Sequence, residues 1–152
     1  MEESIPQETL SLVNDAKKLH SHFGPFLAYG LRVGFIGLRE TKKKKGDPDL
    51  SVNVSLPYKT PISCILDGIQ VATSCTLGNK RLKVRNSNQI TFNFKVKNGG
   101  TLMVTIKPVN FKKFKDEFMV KTSTDEEMEK LAYKVLVKPE NELFRVRIRR
   151  LK

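Results

Sequence analysis

Apolar positions along the chain first follow a helical period. Leu12, Val13, Ala16 and Leu19 form one stripe between Pro6 and His20, with Lys17, Lys18 and His20 at the carboxyl end, where cations suit the helix dipole. Gly24-Pro25 stops this amphipathic helix, and Pro25 suits the first position of a second helix running to about Glu40. The second helix is apolar nearly all round, which predicts burial, and Gly30, Gly34 and Gly37 form a stripe where another backbone can come close. The period then shortens to two. Leu50-Ser51-Val52-Asn53-Val54-Ser55-Leu56 alternates strictly and predicts a half-buried strand, ended by Pro57 and Pro61. Taken as a helix, residues 62–73 place Ile62, Ile65, Leu66, Ile69, Ala72 and Thr73 on one side and Cys64, Asp67 and Val71 on the other. Strands are expected at 81–85, 89–97 and 101–107, the last two joined by the hairpin signal Lys97-Asn98-Gly99-Gly100. Residues 109–120 are ambiguous, with a short helix as one reading. Ser123 to Glu127 starts a helix reaching about Val137, and Pro139 precedes a final strand, Leu143 to Leu151.

These elements predict an α+β fold, with amino-terminal helices and the helix bearing the Cys/Asp pattern packed on a mostly antiparallel sheet, and a carboxyl-terminal helix and strand closing it. At 152 residues, without repeats or an evident linker, residues 1–152 read as one domain whose core needs no disulfide or structural metal. The opening Met1-Glu2-Glu3-Ser4-Ile5-Pro6 is acidic and polar, unlike a secretory signal. The apolar run Phe26 to Leu38 is interrupted by Arg32 and too short to span a bilayer. The expectation is a cytoplasmic protein that makes no membrane contact and keeps its two cysteines reduced or metal-bound.

Chemistry concentrates in two blocks. All histidines and cysteines fall in His20-Ser21-His22-Phe23-Gly24-Pro25 and in the stretch from Cys64 through Asp67-Gly68-Ile69-Gln70 to Cys75-Thr76-Leu77-Gly78-Asn79. Two imidazoles and two thiols are donors that zinc and similar divalent ions prefer. The plainer alternative is that cysteine acts as a small buried hydrophobe. A thiol that only filled the core would sit with the isoleucines, whereas Cys64 shares the opposite face with Asp67, three residues on.

The balance of 28 Lys and Arg against 16 Asp and Glu gives a net charge of +12, a field that draws polyanions. Aromatic residues make up only 8% of the chain, tryptophan is absent, and no helix-turn-helix, RNP or zinc-finger pattern occurs, so a nucleic-acid contact is expected to be non-specific. The cations are spread over the Lys42 to Lys45 loop, Lys112, Lys113, Lys115 and the arginines of the last strand. The loop reads as a solvated turn and Arg145, Arg147 and Arg149 as edge-strand protection, with an anion or partner contact as the other reading of each.

The two blocks together resemble the FmdE component of molybdenum or tungsten formylmethanofuran dehydrogenase and the wider family with that domain. The likeness lies in His20-Ser21-His22, Pro25 opening an apolar helix, Gly30 and Arg32, then Cys64, Asp67-Gly68-Ile69-Gln70, Cys75-Thr76 and Gly78-Asn79. It runs over about residues 10–107. The chain departs from the family at Ser21, often glycine there, at Gly24-Pro25-Phe26, where many members have Cys-Pro-Gly, and at Ser74, which replaces a common glycine. No cysteine follows Cys75 in this sequence, so the expectation is the core domain without the carboxyl-terminal zinc finger that some members carry.

The resemblance implies an α+β core domain, a homodimer, and a site built from the His and Cys blocks. Within that site, donor type makes His22, Cys64 and Cys75 the expected metal ligands, His20 a fourth ligand or the group that orients one, and Asp67 an acceptor behind the ligands or a general base with a catalytic part. Thr76 and Asn79 would contact a bound ligand. Zinc is the favoured ion, and no pterin or nucleotide cofactor is expected. The resemblance does not itself imply a chemistry, and the roles a His/Cys site leaves open are metal-dependent or redox work on a small molecule, or that of an accessory component that docks on an acidic protein. A basic nucleic-acid-binding or non-catalytic docking protein is the alternative.

Overall fold

The computed structural model describes residues 5–121 and 124–150. In chain order the elements are α1 (Gln7–His20), α2 (Pro25–Thr41), β1 (Leu50–Leu56), a 3-10 turn (Ile62–Cys64), α3 (Ile65–Thr73), β2 (Leu82–Asn86), β3 (Thr91–Val96), β4 (Thr101–Ile106), α4 (Pro108–Lys121), α5 (Asp125–Val137), α6 (Glu140–Leu143) and β5 (Phe144–Arg149). The strands form one sheet in the order β2-β1-β3-β4-β5. β1 runs parallel to β2 and antiparallel to β3, and the remaining pairs are antiparallel. The α+β class and the mostly antiparallel sheet are as expected.

Helix ends follow from local chemistry. Ser21 takes a left-handed φ of 81° and its N–H donates to the Lys17 carbonyl, closing α1 one residue after His20. Gly24 is extended, and Pro25 opens α2 with no backbone donor to waste. The Thr124 hydroxyl accepts from the Glu127 N–H, so α5 starts within the predicted signal; Ser123 of that signal and Leu151 of the predicted last strand lie outside the described residues. In the β3-β4 hairpin, Asn98 rather than a glycine takes the left-handed conformation, at φ 59°.

Three expectations change. Residues 62–64 form a 3-10 turn ahead of α3 rather than its first turn. Residues 109–120 belong to a full helix, α4, whose Phe111 and Phe114 pack edge-to-face on Phe26 and Tyr29 of α2. Leu143 belongs to the short α6, so the last strand begins at Phe144.

The core lies between the helices and one face of the sheet. Val52, Val54, Phe92, Phe94, Leu102 and Val104 point into it, alternating with outward residues along each strand. α2 is the central helix, and its glycine stripe meets α3 and the sheet. A Cβ on Gly30 would fall 2.0 Å from the Ile65 carbonyl oxygen, one on Gly34 2.4 Å from the Ala72 Cβ, and one on Gly37 2.3 Å from the Phe94 ring. The close approach anticipated from the stripe is therefore used inside the chain. Arg32, of the Gly-x-Arg pattern, donates to the carbonyls of Val135, at 2.8 Å, and Lys138, tying α2 to the carboxyl end of α5. Among the described residues, no helix is long and apolar enough to cross a membrane.

Arg39 at the end of α2 holds Glu140 of α6 through two hydrogen bonds, at 2.6 and 3.0 Å, and these pull the Glu140 carboxyl below its usual range. A carboxylate whose pKa is depressed on folding stabilises the fold fully above its ordinary value and loses that contribution as pH falls through the lowered one. The pair is partly exposed, so Glu140→Gln is expected to cost about 1 kcal/mol or less at neutral pH, measured by urea unfolding. The difference between variant and parent should begin to shrink as pH falls below about 4 and close only once pH has passed the lowered value.

Candidate functional site

The two sequence blocks meet where α1 ends and the 3-10 turn leads into α3. Because α1 stops directly after His20, His22 lies in the connection to α2, and the two imidazoles stand edge-to-face with centroids 5.1 Å apart. Residues two apart on a continuous helix would face apart, so this break brings both rings to one place.

His20 is the fixed point of the site. Its Nδ1 lies 2.6 Å from Asp67 Oδ2, with the imidazole 16% and the carboxylate 34% exposed. The carboxylate only accepts, so in the neutral ring the proton sits on Nδ1 and Nε2 keeps its lone pair. Asp67 Oδ1 accepts from Gln70 Nε2 at 3.3 Å, and Gln70 Oε1 accepts from the Leu77 N–H at 3.4 Å. Gln70 lies one helical turn beyond Asp67, so a single face of α3 links the imidazole to the loop after Ser74.

Cys64 is half-buried and lines two adjoining clefts together with His20. The larger, about 230 Å³, includes Asp67, Gln70, Tyr58 and Leu77, the last two exposed apolar residues at its rim. The smaller, about 20 Å³, is apolar and is walled by His22, Phe26, Phe118 and Met128. Burial first, and then the charge of Asp67, pushes the Cys64 thiol above its ordinary range, so it stays protonated at neutral pH. The expected opposition of Cys64 and Asp67 to the isoleucine face holds: Ile62, Ile65 and Ile69 are buried, while Cys64 and Asp67 open onto the cleft.

The structure does not bring Cys75 to this place. Its thiol is fully buried in the core and donates to the Leu50 carbonyl at 3.4 Å, and its backbone N–H donates to the Thr73 hydroxyl. Burial raises this thiol as well. Thr76 and Asn79 spend their polar groups on the loop itself. Asn79 Oδ1 accepts from the Thr76 N–H, the Thr76 hydroxyl accepts from the Asn79 N–H, and Asn79 Nδ2 donates to the Ser74 carbonyl. Both therefore shape the turn that carries Leu77 to the cleft rim. Among the described residues, no three His, Cys, Asp or Glu side chains stand close enough together to enclose an ion as placed.

Gln70 appears in the sequence motif without a role, although its spacing from Asp67 signals one. Phe118 and Met128 come from α4 and α5, and nothing local in the sequence places them at the cleft.

A two-layer α+β domain whose helix ends gather imidazole, thiol and carboxylate at one cleft is the class defined by fold and site. The family model described as "FmdE, Molybdenum formylmethanofuran dehydrogenase operon" matches residues 19–145, and the chain belongs to that family. A curated protein of Archaeoglobus fulgidus, a probable S-adenosyl-L-methionine-binding protein, is 38% identical over 85 residues, 53% of this chain and 22% of that one. The solved structure of a tungsten formylmethanofuran dehydrogenase FmdE-like protein from Syntrophus aciditrophicus is 19% identical, aligning over 82% of this chain and 64% of its own with a TM-score of 0.49. The chain thus spans less than two thirds of the length of each of these two proteins.

Proposed function

We propose that the cleft binds a divalent transition metal, zinc by donor preference, through His20, His22 and Cys64, and that this site serves a small-molecule or accessory role. The observation that carries the reading is the 2.6 Å contact between Asp67 and His20 Nδ1. A carboxylate behind an imidazole fixes its tautomer and aims the other nitrogen, the arrangement that supports histidine ligands in metal sites. Two imidazoles and one thiol fit the ion in donor type, and three protein ligands leave a coordination position for water or substrate. Enclosing the ion requires His22 and Cys64 to turn toward His20, and the Cys64 proton to leave.

When bound, the metal would supply Lewis acidity at the open position. The chain's own residues have separate parts. Asp67 positions His20 and is too engaged to serve as a free base, Gln70 holds Asp67 in place, and the apolar wall of Phe26, Phe118 and Met128 keeps water from one side of the site. Cys75 supports the fold beneath the site rather than the metal.

Asp67→Asn keeps the side-chain size but removes the charge, and should weaken zinc binding by about 10- to 100-fold. A competition titration against a chromophoric chelator would read this, with circular dichroism showing the fold retained. Cobalt(II) titration of the parent should produce a thiolate charge-transfer band that Cys64→Ser abolishes. Unchanged zinc affinity in Asp67→Asn, or a band that survives Cys64→Ser, would refute the ligand set.

A further inference from the structure

The sheet face turned away from the helices has no covering element among the described residues. Its outward positions carry Lys83 and Arg85 on β2, Lys95 on β3, and Arg145, Arg147 and Arg149 on β5, all exposed. The five strands contain no Asp or Glu. Among the described residues, none of these six cations takes part in an ion pair.

Strand register arranges the face in rows. Lys83 lies beside Asn53, Asn53 opposite Asn93, Asn93 opposite Met103, and Met103 opposite Arg147. The next row runs Arg85, Ser55, Thr91, Thr105, Arg145. At about 4.8 Å per strand, the cations of β2 and β5 stand ~19 Å apart, and in these two rows the side chains between them are uncharged and, Met103 apart, hydrogen-bonding. Toward β2 the strip deepens into a cleft of about 390 Å³, lined by Asn53, Ser55, Asn93, Lys83 and Arg85.

We propose that this face binds nucleic acid through the phosphate backbone, without reading base sequence. Arginine and lysine beside serine, threonine and asparagine are the side chains that contact phosphates and sugars. The outward positions hold no aromatic ring on which a base would stack, so neither affinity nor preference comes from bases. Edge protection accounts for charges on the edge strands β2 and β5, but neither for Lys95 on interior β3 nor for the polar rows that join the two edges. A second copy of the chain on this face would set like charges against each other. The fold therefore collects onto one surface cations that look scattered in the sequence.

The test compares two triple charge reversals that lower the net charge equally. Lys83→Glu/Arg85→Glu/Arg147→Glu alters the face, and Lys42→Glu/Lys44→Glu/Lys45→Glu alters an exposed loop off the sheet. Binding to fluorescent duplex DNAs of several sequences is measured at a series of salt concentrations, alongside vesicles of phosphatidylglycerol and phosphatidylcholine. The face variant should lose at least about tenfold in affinity, and its slope of log affinity on log salt should fall by about two to three, since each lost phosphate contact removes about 0.9. The loop variant should stay within about threefold of the parent, and all DNA sequences should bind alike. Lys83→Gln/Arg85→Gln/Arg147→Gln, with a smaller loss in the same direction, carries the test if the reversal disturbs the fold. Equal losses in the two reversals, no binding by the parent at low salt, a marked sequence preference, or tighter binding to the anionic vesicles than to DNA would overturn the proposal.

Discussion

Gly30→Ala is expected to keep the chain from its native packing. The new Cβ would lie 2.0 Å from the Ile65 carbonyl oxygen and 2.9 Å from the Gly68 Cα. The approach is mutual, because a Cβ on Gly68 would stand 2.3 Å from the Leu27 carbonyl oxygen. These are backbone atoms, which have no rotamer to escape into, so α2 and α3 would have to move apart. Overpacking costs about 1–3 kcal/mol where side chains can adjust, and a forced helix separation costs more, against a total stability of about 5–15 kcal/mol for a domain. Gly78→Ala is the control, since its nearest atom would be 3.8 Å away, and it should stay within about 0.5 kcal/mol of the parent. Urea unfolding of the three proteins reads the difference. A Gly30→Ala protein as stable as the parent would contradict the docking of α2 on α3, and with it the placement of Cys64 and Asp67 beside the histidines.

The two cysteines are expected to fail in opposite ways. Cys64→Ser should leave the midpoint of unfolding nearly unchanged, because the side chain opens onto the cleft, and should cost at least about a hundredfold in zinc affinity by removing the thiolate. Cys75→Ser puts a smaller and more polar hydroxyl into a fully buried site where the thiol donates to the Leu50 carbonyl, and should cost about 1–2 kcal/mol of stability, while zinc affinity stays as in the parent. Both readouts are needed. If Cys75→Ser loses metal while keeping its stability, the separation of a binding thiol from a structural one is wrong.

The division between these cysteines shows what the sequence alone could carry. Positions close in sequence were legible: strict alternation gave β1 as Leu50–Leu56, Pro25 marked the start of α2, and the spacing of Cys64 and Asp67 placed both opposite the isoleucine face. The break after His20, which lets two imidazoles two residues apart meet, was also foreshadowed by Gly24-Pro25. The destination of Cys75 was not legible. It depends on the loop after Ser74 passing under β1, so that the thiol reaches the Leu50 carbonyl, 25 residues back. α4 was ambiguous for a related reason. Its Phe111, Phe114 and Phe118 sit among lysines, and their burial is decided by Phe26 and Tyr29 of α2. The cations on the sheet look dispersed until register sets Lys83 and Arg147 in one row. Long-range pairing, rather than local pattern, holds this missing information.

The central claim is that His20, His22 and Cys64, with Asp67 behind them, form a metal site from which Cys75 is excluded. Its most direct test is elemental analysis of protein purified without chelating resin, loaded with zinc and dialysed, for the parent, Cys64→Ser and Cys75→Ser. The account predicts a single equivalent of zinc per chain in the parent and in Cys75→Ser, and none retained by Cys64→Ser. Full zinc content in Cys64→Ser, or none in the parent, would contradict it.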